Sequence, residues 1–377
     1  MQPVSARATD GSATVQSRPR TASPKKSGDL ARHIIQFDSE DRASYAPFSL
    51  PAAAIATRAA RNPIPWPAGR APTPTPLAAA PPIAAPLPQF DYLVVTWTVE
   101  EAKCLADTLT PGFPSRTAWY DYAHNFATDF LPLIAKGAPA RSANRLGSWF
   151  PTVIGGKRVM CFKSELHMSQ DGLKLPVAKL WQQLIAEVQP KLVITTGTAG
   201  GIGAPIQLGD VIVARSVRFD CMRKFKPQPF HASSYVCSVP NTASLPLAAQ
   251  LFSANAAHLP PTSRSAAIFI APTAAVPVPE VVTTDFFAFD DTSNTFSLQG
   301  MGAAVEMGDA VLGMVIEQLG ASAPRWLAVR NASDPEIDSA GLSEKEAAAK
   351  AAQIYERFGY WTTIPSAITC WGLILDN

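Results

Sequence analysis

Residues 192–201 read Leu-Val-Ile-Thr-Thr-Gly-Thr-Ala-Gly-Gly. The first four residues form a short apolar run rich in β-branched side chains, which predicts a buried strand. The glycines that follow predict a tight turn at the carboxyl end of that strand, where backbone N–H groups can approach an anion or a sugar hydroxyl. No Gly-Lys-Ser/Thr follows and no helix opens on the last glycine, which excludes a Walker loop and a dinucleotide fingerprint. Alone, the stretch is also consistent with a purely structural turn.

Short apolar strands alternate with amphipathic helices on both sides of this stretch. The alternation predicts one domain over residues 89–377, of α/β class, with three α/β/α layers around a central twisted mixed sheet. A Gly-Gly pair at 155–156 predicts a hairpin over 152–160. The proline-rich region 224–279 is expected to be largely irregular. Further strands are predicted at 93–96, 210–213, 266–270 and 326–329, and helices at 99–109, 177–188, 307–319 and 343–358.

Residues 1–88 hold 15 of the 35 prolines. Proline lacks the backbone N–H, so this segment is predicted to be a disordered Pro/Ala-rich tail, extended and solvated, with one short helix at 29–37. It could serve as a tether or as a docking arm for a partner. In either case, its removal is expected to leave the thermal midpoint unchanged.

Charge and composition argue against nucleic-acid-binding, membrane and metal-binding classes of protein. Residues 1–88 carry 10 Lys/Arg against 5 Asp/Glu, whereas the rest carries 22 against 25. The slightly acidic domain argues against nucleic acid as a partner and favours a small molecule. Apolar runs end well before 18 residues and the first residues are polar, which predicts a cytoplasmic protein with no membrane contact. The five scattered cysteines predict reduced, mostly buried thiols, and no spacing indicates a metal or another cofactor.

Two later segments strengthen the evidence that the glycine-rich stretch belongs to a binding site. Residues 304–310 read Ala-Val-Glu-Met-Gly-Asp-Ala, and residues 327–334 read Leu-Ala-Val-Arg-Asn-Ala-Ser-Asp. In order, spacing and context, the three segments resemble the nucleoside phosphorylase and purine nucleosidase superfamily, over roughly residues 91–335. The pattern is most similar to the methylthioadenosine/S-adenosylhomocysteine nucleosidase-like and AMP nucleosidase-like branch. The resemblance implies a nucleoside phosphorylase-like fold and a homodimer or larger ring, in which a neighbouring subunit closes part of the pocket.

The resemblance also implies roles for the last segment. Asp334 would protonate the purine at N7, with Ser333 orienting it and Arg330 on the preceding strand. Breaking the glycosidic bond places negative charge on the departing base, so a protonated carboxyl group lowers the barrier, and burial must raise its pKa. Ser333 and Asp334 could instead be a helix cap before Pro335. In the first segment, the residues implied to hold the ribose and the water or phosphate are Thr198, Ala199 and Gly200.

Residues 96–105 read Thr-Trp-Thr-Val-Glu-Glu-Ala-Lys-Cys-Leu and are similar to the nucleosidase version of the family. The resemblance makes Glu101 the residue that positions the attacking water. The phosphorylases carry a Gly-Asp-Pro and a following Arg at this point, both absent here, so hydrolysis is favoured over phosphorolysis. Glu100 and Glu101 could also be first-turn acids that complement a helix dipole.

The segment that would contact the sugar departs from the family's pattern at one position. Glu306 and Met307 match the family's ribose-contacting Glu-Met-Glu, but Gly308 stands where the second glutamate is expected. Glu306 or Asp309 would then have to replace it. Phe287 is the candidate for stacking under the purine, although it could be a core side chain. A basic run would suit a 5′-phosphate or be a solvated surface, and its members are Arg215, Arg218, Arg223, Lys224 and Lys226.

Three hypotheses follow for the function. The first is a purine nucleosidase that hydrolyses the N-glycosidic bond of a purine nucleoside or nucleotide. The second is a phosphate-dependent purine nucleoside phosphorylase. The third is a catalytically silent nucleoside-binding module, for which Gly308 is the main argument.

Overall fold

The computed structural model describes residues 24–55, 58–270 and 280–377. The helices are α1 (Pro24–Gln36), α2 (Val99–Leu109), α3 (Pro139–Ala143), α4 (Pro176–Val188), α5 (Leu245–Leu251), α6 (Asp309–Leu319) and α7 (Glu344–Asp376). The strands are β1 (Thr73–Pro74), β2 (Tyr92–Thr96), β3 (Tyr120–Tyr122), β4 (Gly147–Ile154), β5 (Lys157–Ser164), β6 (Leu192–Gly201), β7 (Val211–Val213), β8 (Ser216–Asp220), β9 (Ser234–Val236), β10 (Ile268–Ile270), β11 (Glu280–Thr284), β12 (Ala304–Glu306) and β13 (Arg325–Asp334).

All of these strands belong to one mixed sheet with helices packed on its faces, in the order β1-β4-β5-β2-β6-β12-β11-β8-β9. β13 pairs with β6 and β7, β10 pairs with β7, and β3 pairs with β4. This architecture confirms the predicted α/β class with a central mixed sheet.

β6, the strand quoted first, is the centre of the sheet. It pairs in parallel with β2 and with β13, and its last residues pair antiparallel with β12. Successive residues of β6 point to opposite faces of the sheet. Val193 packs in the apolar core on the side of α4 and α6, whereas Ile194 packs in the core on the side of α2 and α7. Because the parallel strands β2, β6 and β13 end at the same edge, residues that follow them meet there.

Local signals predict element positions well. The predicted helix at 99–109 is α2, closed at its start by a capping box between Thr98 and Glu101. Gly155 and Gly156 adopt φ of 57° and 79° in the predicted hairpin turn. The region 224–279 nevertheless contains α5, β9 and β10, while residues 271–279 lie outside the described residues.

Three elements are longer than their sequence signals. β6 continues through the glycines to Gly201, where the sequence predicts a turn directly after residue 195. β13 continues to Asp334 because its end stays paired with the glycine-rich end of β6, up to Asp334 opposite Gly200. Helix α7 continues to Asp376 instead of ending near 358, and it contains Pro365. Its last half is buried nearly all round, which removes the amphipathic period on which the prediction depended. Among the helices of the described residues, none is long and apolar enough to cross a membrane. The five cysteines are free and buried, as predicted.

The N-terminal segment departs from its prediction. The predicted short helix exists as α1, but the expectation that its surroundings are solvated is wrong for residues 30–55. Ala31, Ile34, Phe37 and Ile55 are buried in an apolar cluster with the first half of α7. This burial depends on packing against α7, which lies near the other end of the chain, so no local pattern indicates it. Residues 1–23 lie outside the described range, and residues 58–88 follow a mostly exposed path anchored at points such as Ile64 and Leu87.

Buried ion pairs and hydrogen bonds hold this segment in place. Lys103 of α2, 1% exposed, contacts Asp38 and lies 3.1 Å from Glu100, while the Ser39 N–H donates to Glu100 across 2.8 Å. Glu356 of α7 accepts hydrogen bonds from the Ser49 hydroxyl at 2.6 Å and the Leu50 N–H at 2.8 Å, and lies 2.7 Å from His33 Nε2. Residues 30–55 therefore satisfy charges that would otherwise be buried without partners.

Removing residues 1–55 should destabilise the fold, contrary to the expectation from sequence. Breaking a buried ion pair costs about 3–5 kcal/mol, which for a domain of this size lowers the thermal midpoint by about 10 °C. Calorimetry on the shortened chain measures this shift. A chain lacking only residues 1–23 is the matched control, since it keeps every contact named above. Equal midpoints for the two shortened chains would contradict the docking described here.

Candidate active site

A pocket opens at the carboxyl ends of β2, β6 and β13. It brings together ten of the eleven site residues predicted from the sequence, which are Glu101, Thr198, Ala199, Gly200, Phe287, Glu306, Met307, Arg330, Ser333 and Asp334. Asp309 is not among the lining residues. Among the described residues, no group of three or more His, Cys, Asp or Glu side chains is arranged to hold a metal ion.

Glu101 lies at the base of the pocket and is 1% exposed. Its Oε2 accepts from the Thr96 hydroxyl at 2.7 Å and from the Trp97 and Thr98 N–H groups at 3.0 and 2.9 Å. Its Oε1 accepts from the N–H and the hydroxyl of Thr198, both at 2.7 Å. Burial disfavours the charge, but the Arg330 cation and these donors outweigh it and hold the pKa of Glu101 below its usual value. The carboxylate is therefore ionised.

Gly197 makes this contact possible. A Cβ placed on it would lie 2.5 Å from the Glu101 carboxylate, and its φ is +147°, a conformation that other residues rarely adopt. The glycine is thus required both by the close approach of the carboxylate and by the backbone at the end of β6.

Asp334 lines the same pocket as Glu101, at the end of β13, and is 5% exposed. The Ser333 hydroxyl donates to its Oδ1 at 2.8 Å, and Oδ2 has no hydrogen-bond partner among the described residues. Burial raises the pKa of Asp334 to about 7, against a smaller lowering by the Ser333 hydrogen bond. Near neutral pH, a large fraction of this carboxyl group therefore carries a proton that it can donate into the pocket.

Arg330 connects the two carboxylates of the 304–310 segment. Its Nε donates to Asp309 Oδ2 at 2.7 Å, and its Nη2 contacts Asp309 Oδ1 and lies 3.2 Å from Glu306 Oε2. The guanidinium also lies over the Trp97 ring, 4.8 Å from its centroid. Asp309 is therefore paired with Arg330 and is not among the residues that line the pocket, in contrast to the other ten predicted site residues. Arg330 Nη1 has no partner among the described residues.

Glu306 lines the pocket but works as a cap of α6. Its oxygens accept from the Gly308 N–H at 2.6 Å and the Asp309 N–H at 3.0 Å, and from the Thr283 hydroxyl. Burial and the neighbouring Asp309 raise the pKa of Glu306, while Arg330 opposes the shift. An ideal Cβ on Gly308 would meet Trp97 Cζ2 at 3.4 Å and Glu306 Oε2 at 3.6 Å, which is ordinary contact. Steric crowding does not explain the glycine.

Several lining residues had no assigned role in the sequence prediction. His167 follows β5, and its Nδ1 accepts from the Ser169 N–H at 3.2 Å and contacts the Ser169 hydroxyl at 2.9 Å. Burial lowers the pKa of His167 to about 3, so the ring is neutral and carries its proton on Nε2. Tyr355 of α7 and Ile34 and Ile35 of α1 complete the wall. These three come from the two ends of the chain, and no local motif identifies them.

The sequence model of the phosphorylase superfamily matches residues 147–358, more than half of the chain. The chain belongs to the phosphorylase superfamily. Two solved structures illustrate the similarity. The 5′-methylthioadenosine/S-adenosylhomocysteine nucleosidase of Neisseria meningitidis is 16% identical, with 76% of this chain and 99% of that chain covered and a TM-score of 0.46. Futalosine hydrolase of Helicobacter pylori is 15% identical, with 75% and 96% covered and a TM-score of 0.44. A search of curated proteins finds no significant match.

In this superfamily member, the basic run at 215–226 lies outside the pocket lining. Arg223 lies 4.0 Å from the centre of the Phe286 ring, the Lys224 ammonium donates to the Ser169 carbonyl at 2.9 Å, and Arg218 lies 3.6 Å from Glu280. Arg215 and Lys226 are exposed. The arrangement favours the surface interpretation of this run over a 5′-phosphate site.

Replacing Gly197 by alanine should disrupt the site, because the added methyl group meets the Glu101 carboxylate as well as an unfavourable φ. We expect a loss of about 2 kcal/mol or more in the free energy of unfolding, together with loss of ligand binding. Gly156→Ala is the matched control: its φ is +79°, but an added Cβ meets nothing within 4 Å. Denaturant unfolding of both variants separates the two effects, and equal losses would remove the steric argument for Gly197.

Proposed function

We propose that this protein hydrolyses the N-glycosidic bond of a purine nucleoside, releasing the free base and the sugar. The state of Asp334 is the observation that carries the proposal. A buried carboxyl group with a pKa near 7, one oxygen fixed by Ser333 and the other free in the pocket, has the properties of a general acid. Helix capping does not require such a group, since a cap accepts backbone N–H bonds and works best as an ionised carboxylate.

In the proposed reaction, the Asp334 carboxyl group gives up one proton and the Glu101 carboxylate accepts one. The bond between C1′ of the sugar and N9 of the purine breaks, its electrons move onto the base, and Asp334 donates a proton to N7. Water attacks C1′ of the resulting oxocarbenium ion and passes a proton to Glu101, which is ionised. Among the five donors on Glu101, the Thr198 hydroxyl can rotate away and leave Oε1 to the water. The free Nη1 of Arg330 can donate to the same water.

The base would lie against Phe287 and within reach of Asp334, both of which line the pocket. Phe287 lines the pocket and is 9% exposed, which supports its proposed role as the face on which the purine stacks. Stacking of a base on an aromatic ring contributes about 1–3 kcal/mol. Met307, which also lines the pocket, supplies a soft apolar contact for the sugar.

The charges of the pocket favour a nucleoside over a nucleotide, and water over phosphate. Arg330 is the one Lys or Arg among the described lining residues, and it is largely committed to Asp309 and Glu306. A phosphate group needs several donors and compensating positive charge. The neutral His167 and the apolar Ile34 and Ile35 supply neither charge nor a fork of donors.

Asp334→Asn should reduce turnover by about 10²–10⁴-fold, because it keeps the size of the side chain and removes the proton that it donates. Substrate binding should survive. Measuring kcat and the thermal midpoint on one preparation tests this, with Asp338→Asn, an exposed aspartate outside the pocket, as the matched control. Near-normal turnover in Asp334→Asn would exclude this residue as the acid.

The pH dependence follows from the raised pKa of Asp334. The protonated form is the active one, so kcat/KM should fall by about tenfold per pH unit above pH 7. An exposed aspartate titrates near about 3.9, so the folded state loses stability as pH rises from there through about 7. Asp334→Asn should therefore lose this alkaline fall in activity and be more stable than the wild type at pH 8. Unfolding curves at pH 5 and pH 8 measure the second effect, and an Asn variant less stable at pH 8 would contradict it.

Incubation with purine nucleosides, with and without inorganic phosphate, tests the reaction class. We expect free base to be released at equal rates in both cases, as measured by chromatography. Strict dependence on phosphate, with sugar 1-phosphate as product, would establish phosphorolysis instead. Tight binding of nucleosides without any release of base would establish a silent binding module.

A further inference from the structure

We propose that the sugar of the preferred substrate is a 2′-deoxyribose, which makes the protein a purine 2′-deoxynucleosidase. This inference rests on the proposed function. Its basis is that the sugar-facing part of the pocket offers no free anionic acceptor. A ribose presents two adjacent hydroxyl donors, and each must find an acceptor when it leaves water, because a buried donor without one is costly.

Glu306 has little capacity left for these hydroxyls, because three hydrogen bonds and an ion pair already hold its carboxylate. A carboxylate offers about four lone-pair positions. Glu306 Oε1 accepts hydrogen bonds from the Thr283 hydroxyl and the Asp309 N–H, and Oε2 accepts one from the Gly308 N–H and forms an ion pair with Arg330 Nη2 at 3.2 Å. Three of these donors are fixed by the start of α6 or by the Arg330 guanidinium. Freeing an oxygen for a sugar hydroxyl would uncap the helix or leave Arg330 unpaired.

The other carboxylates of the site are equally committed. Asp309 is held at both oxygens by Arg330 and lies outside the lining. Glu101 has five donors, and the one position that a hydroxyl rotation can free is needed by the attacking water. Asp334 Oδ2 is free, but the acid function reserves it for the base.

The hydroxyl groups of the lining do not replace a carboxylate. Thr98 Oγ already accepts from the Glu101 N–H at 3.2 Å and the Tyr355 hydroxyl at 2.9 Å. Thr284 donates to the Phe286 carbonyl at 2.7 Å. Both hydroxyls are neutral, so neither supplies the negative charge of the missing carboxylate.

The space beside Gly308, where we place the sugar, is bounded largely by the apolar ring of Trp97. Gly308 contributes no side chain, and a Cβ there would point between Trp97 and Glu306, two residues that line the pocket. The Trp97 ring is fixed by the Arg330 guanidinium on one side and by Trp181 in an edge contact at 6.1 Å. A methylene group at C2′ packs against an aromatic face without the loss that a hydroxyl would suffer.

The reactivity of the glycosidic bond also favours a 2′-deoxynucleoside as the substrate. The 2′-hydroxyl withdraws electrons and destabilises the oxocarbenium ion, and an enzyme acting on ribonucleosides can offset this by holding the hydroxyl against an anion. This pocket offers no such anion among its described residues. A 2′-deoxynucleoside therefore leaves one donor fewer without an anionic acceptor and forms the more stable cation.

The test compares kcat/KM for 2′-deoxyadenosine and adenosine, and for 2′-deoxyinosine and inosine. In the wild-type protein we expect the deoxy substrate of each pair to be favoured by about tenfold or more, the effect of one buried donor left unsatisfied. Gly308→Glu adds a carboxylate between Trp97 and Glu306 and should reduce or reverse that ratio by at least tenfold. Gly308→Gln matches its size without the charge and should change the ratio much less.

The possible outcomes distinguish failure of the sugar assignment from failure of the proposed hydrolase activity. Equal rates, or a preference for the ribonucleosides, in the wild type would overturn the sugar assignment while leaving the hydrolase standing. A ratio unchanged by Gly308→Glu, in a variant whose thermal midpoint matches that of Gly308→Ala, would do the same. If no base is released from any substrate, calorimetric titration with the same nucleosides decides the sugar preference separately, and the proposed hydrolase is what fails.

Discussion

The buried Glu101 carboxylate joins three parts of the chain that the rest of the site depends on. One oxygen is bonded to the end of β2 and the start of α2, and the other to Thr198 in the glycine-rich end of β6. A charge this deep is tolerated only when its lone pairs are filled, and here five donors fill them. The same contact requires Gly197 of β6, and β6 in turn pairs with β13, whose last residue is Asp334. The geometry of the pocket thus follows from satisfying one buried charge.

Glu101 and Asp334 line one pocket, but their pKa values are shifted in opposite directions because their surroundings differ. Glu101 has many hydrogen-bond donors and a nearby guanidinium, which together outweigh burial. Asp334 has one hydroxyl donor and otherwise apolar surroundings, so burial dominates. Such a separation of pKa values is the usual basis for pairing an acid with a base in one active site. The proposed hydrolysis needs this division, with a proton for the base and a negative charge near the water.

Local sequence signals predict the elements of this protein better than they predict its contacts. The helix at 99–109 is fixed by a capping box, and the turn at 155–156 by two glycines that accept positive φ, so both are readable from a few neighbouring residues. The choice between Glu306 and Asp309 is different, because it is decided by Arg330 on another strand. Ile34 from one end of the chain lines the pocket for the same nonlocal reason, since long-range packing of α1 against α7 places it there.

The central claim is that Asp334 carries a proton near neutral pH, and a direct titration of its carboxyl group tests it. Infrared difference spectra of the wild type and Asp334→Asn, recorded from pH 4 to pH 9, would isolate the carboxyl stretch of this one side chain. A transition centred near pH 7 is predicted from its burial. A carboxylate signal already complete at pH 5 would show that Asp334 is ionised at neutral pH and would contradict its role as the acid.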